Sequence, residues 1–482
     1  MALDRGHSLR KVGRGIALAA LLLASAWPAA AVSQEQVTLT IWAGLYTPSR
    51  ILPMSSDPNA PEVIGIDAVA DAYMKLHPNV NIQLIANPIS ADSRRWLVTQ
   101  LTGGVAPDII WNSPDWAAED YRKNWLVPLE DYLGKPNPYI AEGELGSEKW
   151  YDSFMPAINV WRAADGKLYV VLADQIQVGI YYNKDLFAKA GIDGVPTDWE
   201  ELMQDAEKLK ASGAFPFAQS GNSLDQLTWV SGWLTNFYYH DKIGTYDSDG
   251  DGLLSKVEMA TAVKNGTYSF DQQPNRERLE QLKRFAGYWQ TGALGTDDAG
   301  AQRLFQTGRA GMWISGSWAL QTILQDPERK FDVGVFYLPN VNSKTSPLVA
   351  DNIPPTNKAA GYGIFEFSVP QSTVERGTVD TAFDFLMFAT APQNLGPMVT
   401  EAGIAAPAVH GATANPDLEL FAESISYPPA PLQEDDSMFD FEFAQKFMAI
   451  TSPYLGGTQS LDDTVSRLDV ELKAAAARVL GE

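Results

Sequence analysis

The chain contains no cysteine. That excludes disulfides, thiolate metal sites, a cysteine nucleophile and a lipid-modified N-terminal cysteine. Histidine is scarce as well, with 4 in 482 residues. His77, His240 and His410 fall in no HExxH or other close ligand spacing, and each reads as a surface or packing residue. Cations are outnumbered, 36 Lys and Arg against 59 Asp and Glu, for a formal net charge of -23. A general nucleic-acid or anionic-membrane surface is therefore not expected. Nowhere is an apolar run long enough to span a bilayer, so no membrane insertion is expected. There is no GxSxG nucleophile elbow and no GxxxxGK[ST] phosphate loop, and the "GYG" at 361–363 is too short for a dinucleotide fingerprint. Carboxylates abound, yet no pair stands out by spacing as a glycosidase acid and base. Sequence makes no positive case for catalysis, and the expectation is a non-enzyme.

What is present begins with an export signature. Arg5, Arg10, Lys11 and Arg14 precede the short apolar stretch "IALAALLLASAW", and "PAAA" supplies small residues for cleavage. Residues 1–31 are read as a signal peptide cut after Ala31, with Ser33 as the second choice and an N-terminal membrane anchor as the alternative. Export and the missing cysteine together predict a soluble mature protein without a lipid anchor.

A chain of 482 residues argues for at least two lobes. "VTLTIW" at 37–42 alternates apolar and polar residues as a strand does. Ile66, Val69, Ala70, Tyr73 and Met74 then share a helical face, and "VNIQLI" and "APDIIWN" follow as strands. Strand, helix, strand in that order predicts parallel pairing and an α/β layer. "TDWEELMQDAEKLKASG" places Thr197 and Glu200 at capping-box spacing, with Trp199, Leu202, Met203, Ala206 and Leu209 as a core stripe and Gly213 as the stop. "RERLEQLKRFAGYWQTG" repeats the pattern with Leu279, Leu282, Phe285, Ala286 and Trp289. The region 370–482 reads as mostly helical, interrupted by "SYPPAPLQEDD".

"DSDGDGLLSKVE" at 247–258 fits a twelve-residue calcium loop. Asp247, Asp249 and Asp251 occupy positions 1, 3 and 5, and Gly252 the sharp turn at 6. Leu253 offers a carbonyl at 7, Ser255 reaches through water at 9, and Glu258 closes the site at 12. Leu254 packs beneath. A solvated acidic turn is the alternative, which Glu258 at the right distance disfavours. The loop is single, whereas calcium switches work through paired hands, so a structural Ca2+ acting as a brace is expected. On that reading chelation lowers the melting temperature and leaves ligand affinity within a few-fold.

Several stretches resemble, in order, the extracellular solute-binding proteins of ABC importers, the carbohydrate-binding family that includes maltose-binding protein. They are "LTGGVAPDIIWN", "WLVPLEDYL", "GKLYVVLADQIQVGIYYNKDLFAKAGI" with "VPTDWEEL", "FQTGRAGMWISGSWAL" with "FDVGVFYLP", and "GYGIFEFSVPQS" with "AFDFLMFATAPQN". Together they cover most of residues 37 to 405. The loop at 46–65 and the 247–258 loop with its flanks look like insertions, and the last 70 or so residues match less well. The resemblance implies an α/β, two-lobed type II periplasmic-binding fold with a hinge and an interlobe cleft. It implies an N-terminal lobe of 34–173 plus 314–369 and a C-terminal lobe of 174–313 plus 370–482 that contains the calcium loop. It also implies a monomeric periplasmic protein that binds a sugar or oligosaccharide and delivers it to the transmembrane subunits of an ABC permease. The alternatives are the same clamp for a polyamine or glycerol phosphoester, and a secreted calcium-braced polysaccharide hydrolase or lyase.

A sugar needs planar polar partners at its edge and aromatic plates against its faces. At positions matching family contacts stand Tyr46 after the first strand, then Asn112, Asp115 and Trp116 after the third. Asp174, Gln175 and Gln177 lie at the crossover, and Trp318 in "GSW" matches a stacking aromatic. Asp115 could equally be a helix cap. Trp42, Trp199, Trp289 and Trp313 read as core. Trp229 and Trp233, four apart on one helix, are either core or one wall of the cleft, and are taken as wall.

Overall fold

Val37, Leu39 and Ile41 alternate with threonines because one face of their strand packs on a helix layer. In the computed structural model this strand, β1 (Val37–Trp42), pairs in parallel with β2 (Val80–Ile85) and with β3 (Ile109–Trp111), as the strand-helix-strand order predicts. The structure describes residues 35–46, 65–85, 93–163, 165–221, 224–248, 250, 252–432 and 440–482. The signal-peptide reading of 1–31, two of the expected calcium ligands (Asp249 and Asp251) and the Asp115 side chain lie outside the described residues.

The strands after β3 are β4 (Val171–Leu172), β5 (Asp174–Gln175), β6 (Val178–Asn183), β7 (Phe215–Ala218), β8 (Ala310–Gly316), β9 (Val333–Phe336), β10 (Glu366–Ser368) and β11 (Ala406–Pro407). One five-stranded sheet runs β2-β1-β3-β10-β4 and one four-stranded sheet runs β7-β8-β6-β9. A short antiparallel pair, β11-β5, sets Ala406 opposite Gln175 and Pro407 opposite Asp174.

Each sheet carries its own core. The first gathers residues from Leu39 to Ala173 and from Ile364 to Val409. The second gathers Val178 to Ala359 and returns at Leu432 to Ala476, with a smaller group around Phe305, Trp313 and Phe421 on its flank. These groupings correct the expected lobe boundaries. Segment 314–359 belongs with the second lobe, because β8 is internal to the second sheet and Ile314, Phe336, Leu338 and Val349 sit in its core. Residues 370–409 belong with the first lobe, where Phe383, Phe385, Leu386 and Met398 are buried. The chain thus crosses between lobes at 173–178, 359–364 and 409–418. Within Val37–Glu482 these lobes form one compact unit.

The stripe from Trp199 to Leu209 is as expected, with Trp199, Leu202, Met203, Ala206 and Leu209 all buried, whereas the helix Gln273–Ala286 buries Leu279, Leu282 and Phe285 and stops short of Trp289. The cap differs by one residue. Asp198, not Thr197, is the N-cap and accepts from Glu201 N–H at 2.9 Å. A carboxylate competes well for the first free N–H groups of a helix. Thr197 instead donates to Glu201 through both its N–H and its hydroxyl. Glu200 is left free to pair with Arg284 at 2.6 Å.

Candidate functional site

Where the lobes face each other lies a cleft of about 430 Å³, within the size range of small-molecule sites. The first lobe contributes two wall pieces. One is the helix Pro114–Asp120 with the turn behind it, presenting Ala117, Ala118, Tyr121 and Arg122. Asn124, left-handed at φ 55, ends that turn and folds the chain back. The other piece, 160–170, brings Val160, Trp161, Arg162 and Tyr169. The opposing wall is Leu253 to Glu258, with Pro431 beside it.

Aromatic rings line the first-lobe side. Tyr121 and Tyr169 stack with centroids 5.0 Å apart and planes 25° apart, and the Tyr169 hydroxyl donates to Asp165 at 2.7 Å. Trp161 meets Tyr362 edge-on at 5.0 Å. The Trp161 indole nitrogen and the Tyr362 hydroxyl are both buried without a hydrogen-bond partner among the described residues. Tyr362 belongs to the 359–364 crossing, so the cleft abuts the hinge at this point.

The second-lobe wall is the latter half of the acidic loop. Gly252, at φ +84, makes the sharp turn expected of position 6. Asp247 folds the loop onto itself, accepting from Gly250 N–H at 2.6 Å and Gly252 N–H at 3.0 Å. Glu258 completes a capping box on the helix Lys256–Lys264. One of its oxygens accepts from the Ser248 N–H and hydroxyl at 2.5 and 2.8 Å, the other from the Ser255 N–H and hydroxyl, both at 2.9 Å. Burial opposes ionisation of Glu258, but these donors hold its carboxyl below the usual range. Leu254 N–H donates to Pro431 O at 2.8 Å. The 428–432 strap runs on to the hinge, where Asn357 N–H reaches Pro428 O at 2.6 Å and Ala430 N–H reaches Asn357 O at 2.9 Å.

The residues expected to touch a solute divide into several groups. Tyr46 and Asp174 come together as a hinge pair, both buried. Asp174 Oδ2 accepts from the Tyr46 hydroxyl at 2.6 Å, and Oδ1 accepts from Ile364 and Phe365 N–H at 2.7 and 2.9 Å. Burial pushes the Asp174 carboxyl up to about 6 against the pull of these three bonds. Gln177 sits on the second-lobe side of the same crossing. Its carbonyl accepts from Asn357 and Ser424, both at 3.0 Å, while its amide nitrogen is buried without a partner among the described residues. Gln175, in β5, is buried and pairs through its backbone with Ala406.

Asn112 is fully buried, its amide 3.4 Å from the Ser368 hydroxyl and its carbonyl oxygen without a partner among the described residues. Asp115 occupies the second position of its helix, whose N-cap position is Ser113. Trp116 stands edge-on to Trp111 at 5.4 Å, beneath the Arg94 guanidinium. Trp318 packs against the cores of both lobes and meets Trp229 edge-on at 5.6 Å. Trp233 is placed in the core, which corrects its reading as a cleft wall. It is fully buried between Phe237 and Tyr337, and its indole donates to Pro339 O at 3.2 Å. One turn separates it from Trp229, which is enough to move it from the edge of the core to the inside. Trp42, Trp199 and Trp313 are buried as expected, and Trp289 is partly buried against Phe285.

Sequence reasoning missed Tyr121, Trp161 and Tyr169. The legible trace was the aromatic–cation doublets at 121–122 and 161–162, which lie outside any periodic element.

Two α/β lobes, three short crossings and a cleft walled from both sides define a hinged clamp for a small solute. The family model of bacterial extracellular solute-binding proteins matches residues 59–395, and the chain belongs to that family. Among its relatives, a binding protein of Brucella abortus is 24% identical over 308 residues, spanning 60% of this chain and 67% of the relative. The multiple sugar-binding protein of Streptococcus mutans is 26% identical over 277 residues, 55% of this chain and 57% of the relative. The sn-glycerol-3-phosphate-binding periplasmic protein UgpB of Agrobacterium fabrum is 30% identical over 150 residues, 30% of each chain. In fold, a chitin oligosaccharide binding protein aligns at TM-score 0.67 and 20% identity, covering 92% of this chain and 99% of the other. The apo-form of RafE from Streptococcus pneumoniae aligns at 0.63 and 18%, covering 92% and 99%.

Proposed function

We propose that this chain is the exported binding component of an ABC importer, closing on a sugar or oligosaccharide and presenting it to a membrane permease. The observation that carries this is the aromatic lining of the cleft, with Tyr121, Tyr169 and Trp161 on one wall. Flat rings beside polar groups suit a pyranose, which offers C–H faces and hydroxyl edges. The sugar-binding relative named above supports the same reading. Among the described lining residues the one carboxylate is Glu258, and its oxygens are taken up by Ser248 and Ser255. Acid–base glycoside cleavage asks for two free carboxyl groups, so binding is favoured over turnover. Titration calorimetry against a sugar panel tests the proposal. Saturable heat with at least one sugar and no product on prolonged incubation is expected. No response to any sugar, together with clear binding of a polyamine or a glycerol phosphoester, overturns it.

Export by the 1–31 segment, a periplasmic location and a monomeric state belong to the same proposal. Gel filtration and N-terminal sequencing of secreted protein test them.

We further propose that the 247–258 loop takes a calcium ion as a structural brace. The turn at Gly252 and the inward Asp247 carboxylate suit that role, with Asp249, Asp251, the Leu253 carbonyl, Ser255 and Glu258 as the remaining donors. Glu258 has its acceptor positions filled in this structure, and ligation draws it off the serine hydroxyls. Calcium titration of metal-stripped protein, with Glu258→Gln as control, tests the site.

A further inference from the structure

Acids exceed bases by 59 to 36 over the whole chain, whereas the charged residues among those described in the cleft lining are Arg122, Arg162, Lys256 and Glu258. Glu258 is occupied by four donors from Ser248 and Ser255. Arg162 is anchored within its own wall, reaching Glu130 at 3.2 Å, Gly166 O at 2.7 Å and Asn159 at 2.8 Å.

The other two cations form no ion pair among the described residues. Arg122 lies over the Tyr121 ring at 5.8 Å, its Nε 3.5 Å from the Tyr121 hydroxyl, and pairs with no carboxylate among the described residues. Lys256 is partly buried at the start of the helix Lys256–Lys264 and forms no ion pair among the described residues. One stands on each lobe. A chain of this net charge repels anions at long range. Two cations that line one solute-sized cleft from opposite lobes, with no ion pair among the described residues, therefore need a local reason.

The geometry points to an acidic sugar as the solute: a uronate-containing saccharide whose ring lies on the Tyr121, Tyr169 and Trp161 side while its carboxylate takes charge-assisted hydrogen bonds from Arg122 and Lys256. This rests on the sugar reading above and narrows it. A carboxylate held by a cation from each lobe favours whichever clamp form brings the two lobes together around it. The carboxylate supplies the negative charge and the aromatic plates select the ring that carries it. A small phosphoester would use the cations and leave the plates bare.

The test is calorimetry of the full chain with matched pairs of trisaccharides, each uronate trimer beside its carboxyl-reduced neutral counterpart, with sn-glycerol 3-phosphate as a further arm. At least one uronate trimer should bind about tenfold or more tighter than its neutral partner. Its affinity should fall with added salt more steeply than the neutral sugar's. Lys256→Gln and Arg122→Gln should each weaken the uronate about tenfold and the neutral sugar less than about twofold, with unchanged melting curves establishing that both variants fold. Neutral trimers binding as well as or better than uronates would overturn this inference and leave the sugar reading intact. Binding of no member of the set would overturn this inference, and binding of glycerol phosphate alone would overturn both.

Discussion

The Tyr46 hydroxyl and the Asp174 carboxylate, 128 positions apart in sequence, meet at 2.6 Å in the buried seam where the first crossing leaves the first lobe. The same carboxylate ties down the Ile364 and Phe365 amides of the returning crossing. Asp174 thus fastens three separate segments with one side chain. Its folded carboxyl, held near 6 by burial, keeps its proton to higher pH than the unfolded group, which titrates near 4. Its contribution to stability is therefore fully present below about pH 4 and is lost as pH rises through about 6. The difference corresponds to roughly 3 kcal/mol. Stability curves from pH 3.5 to 7.5 should show this slope in the native chain and a flatter one in Asp174→Asn. Curves of equal slope would mean that the carboxyl does not titrate in this window.

Gly363 should tolerate no side chain. A Cβ there would lie 2.5 Å from both the Asp174 carbonyl oxygen and its Oδ1, and the first of these is backbone. Gly363→Ala should cost about 1–3 kcal/mol by overpacking, seen as a lowered denaturant midpoint. A variant as stable as the native chain would show that the crossing can shift to make room.

The aromatic wall should carry solute affinity. Tyr121→Ala and Trp161→Ala should each weaken the best sugar of the panel by about 5- to 30-fold, the usual range for a stacked ring. Trp233→Phe, a change inside the core, should move affinity by less than about twofold. Titrations in which Trp233→Phe weakens binding more than Tyr121→Ala would relocate the solute.

Stripping calcium should lower the melting temperature by a few degrees, on the scale of about 2–4 °C per kcal/mol. The brace reading by itself expects unchanged solute affinity. With Leu253 to Glu258 forming one wall of the cleft, a shift in the solute Kd on chelation is the expected result instead. Identical melting curves with and without chelator would remove the metal from the account.

Periodicity made the sheets and helices legible. The alternation in β1 and the stripe from Trp199 to Leu209 each report one buried face, and a buried face imposes a period on the sequence. Boundaries were harder. Thr197 and Asp198 are both good caps, and only the backbone decides which of them opens the helix. The lobe crossings were illegible because each is a few residues long and carries no period, so Ile314 and Phe385 fall in the lobe opposite to the one expected. Trp229 and Trp233 share a helix face in projection, and depth along that face does not show in sequence. The cleft aromatics lie in turns, where spacing says nothing about direction. The 247–258 loop was legible as an oxygen-rich turn. Its position opposite Tyr121 was not, since that depends on how two lobes meet.

The two walls of the cleft differ in construction. The first lobe presents its rings from the turn after the helix Pro114–Asp120 and from the 160–170 segment, while the second presents a ribbon anchored by Glu258 and by the Leu254–Pro431 bond. A lineage could therefore exchange this ribbon for one of another length or polarity and leave both sheets undisturbed. The same exchange, made in the laboratory, offers a compact route to retargeting the protein toward a different cargo.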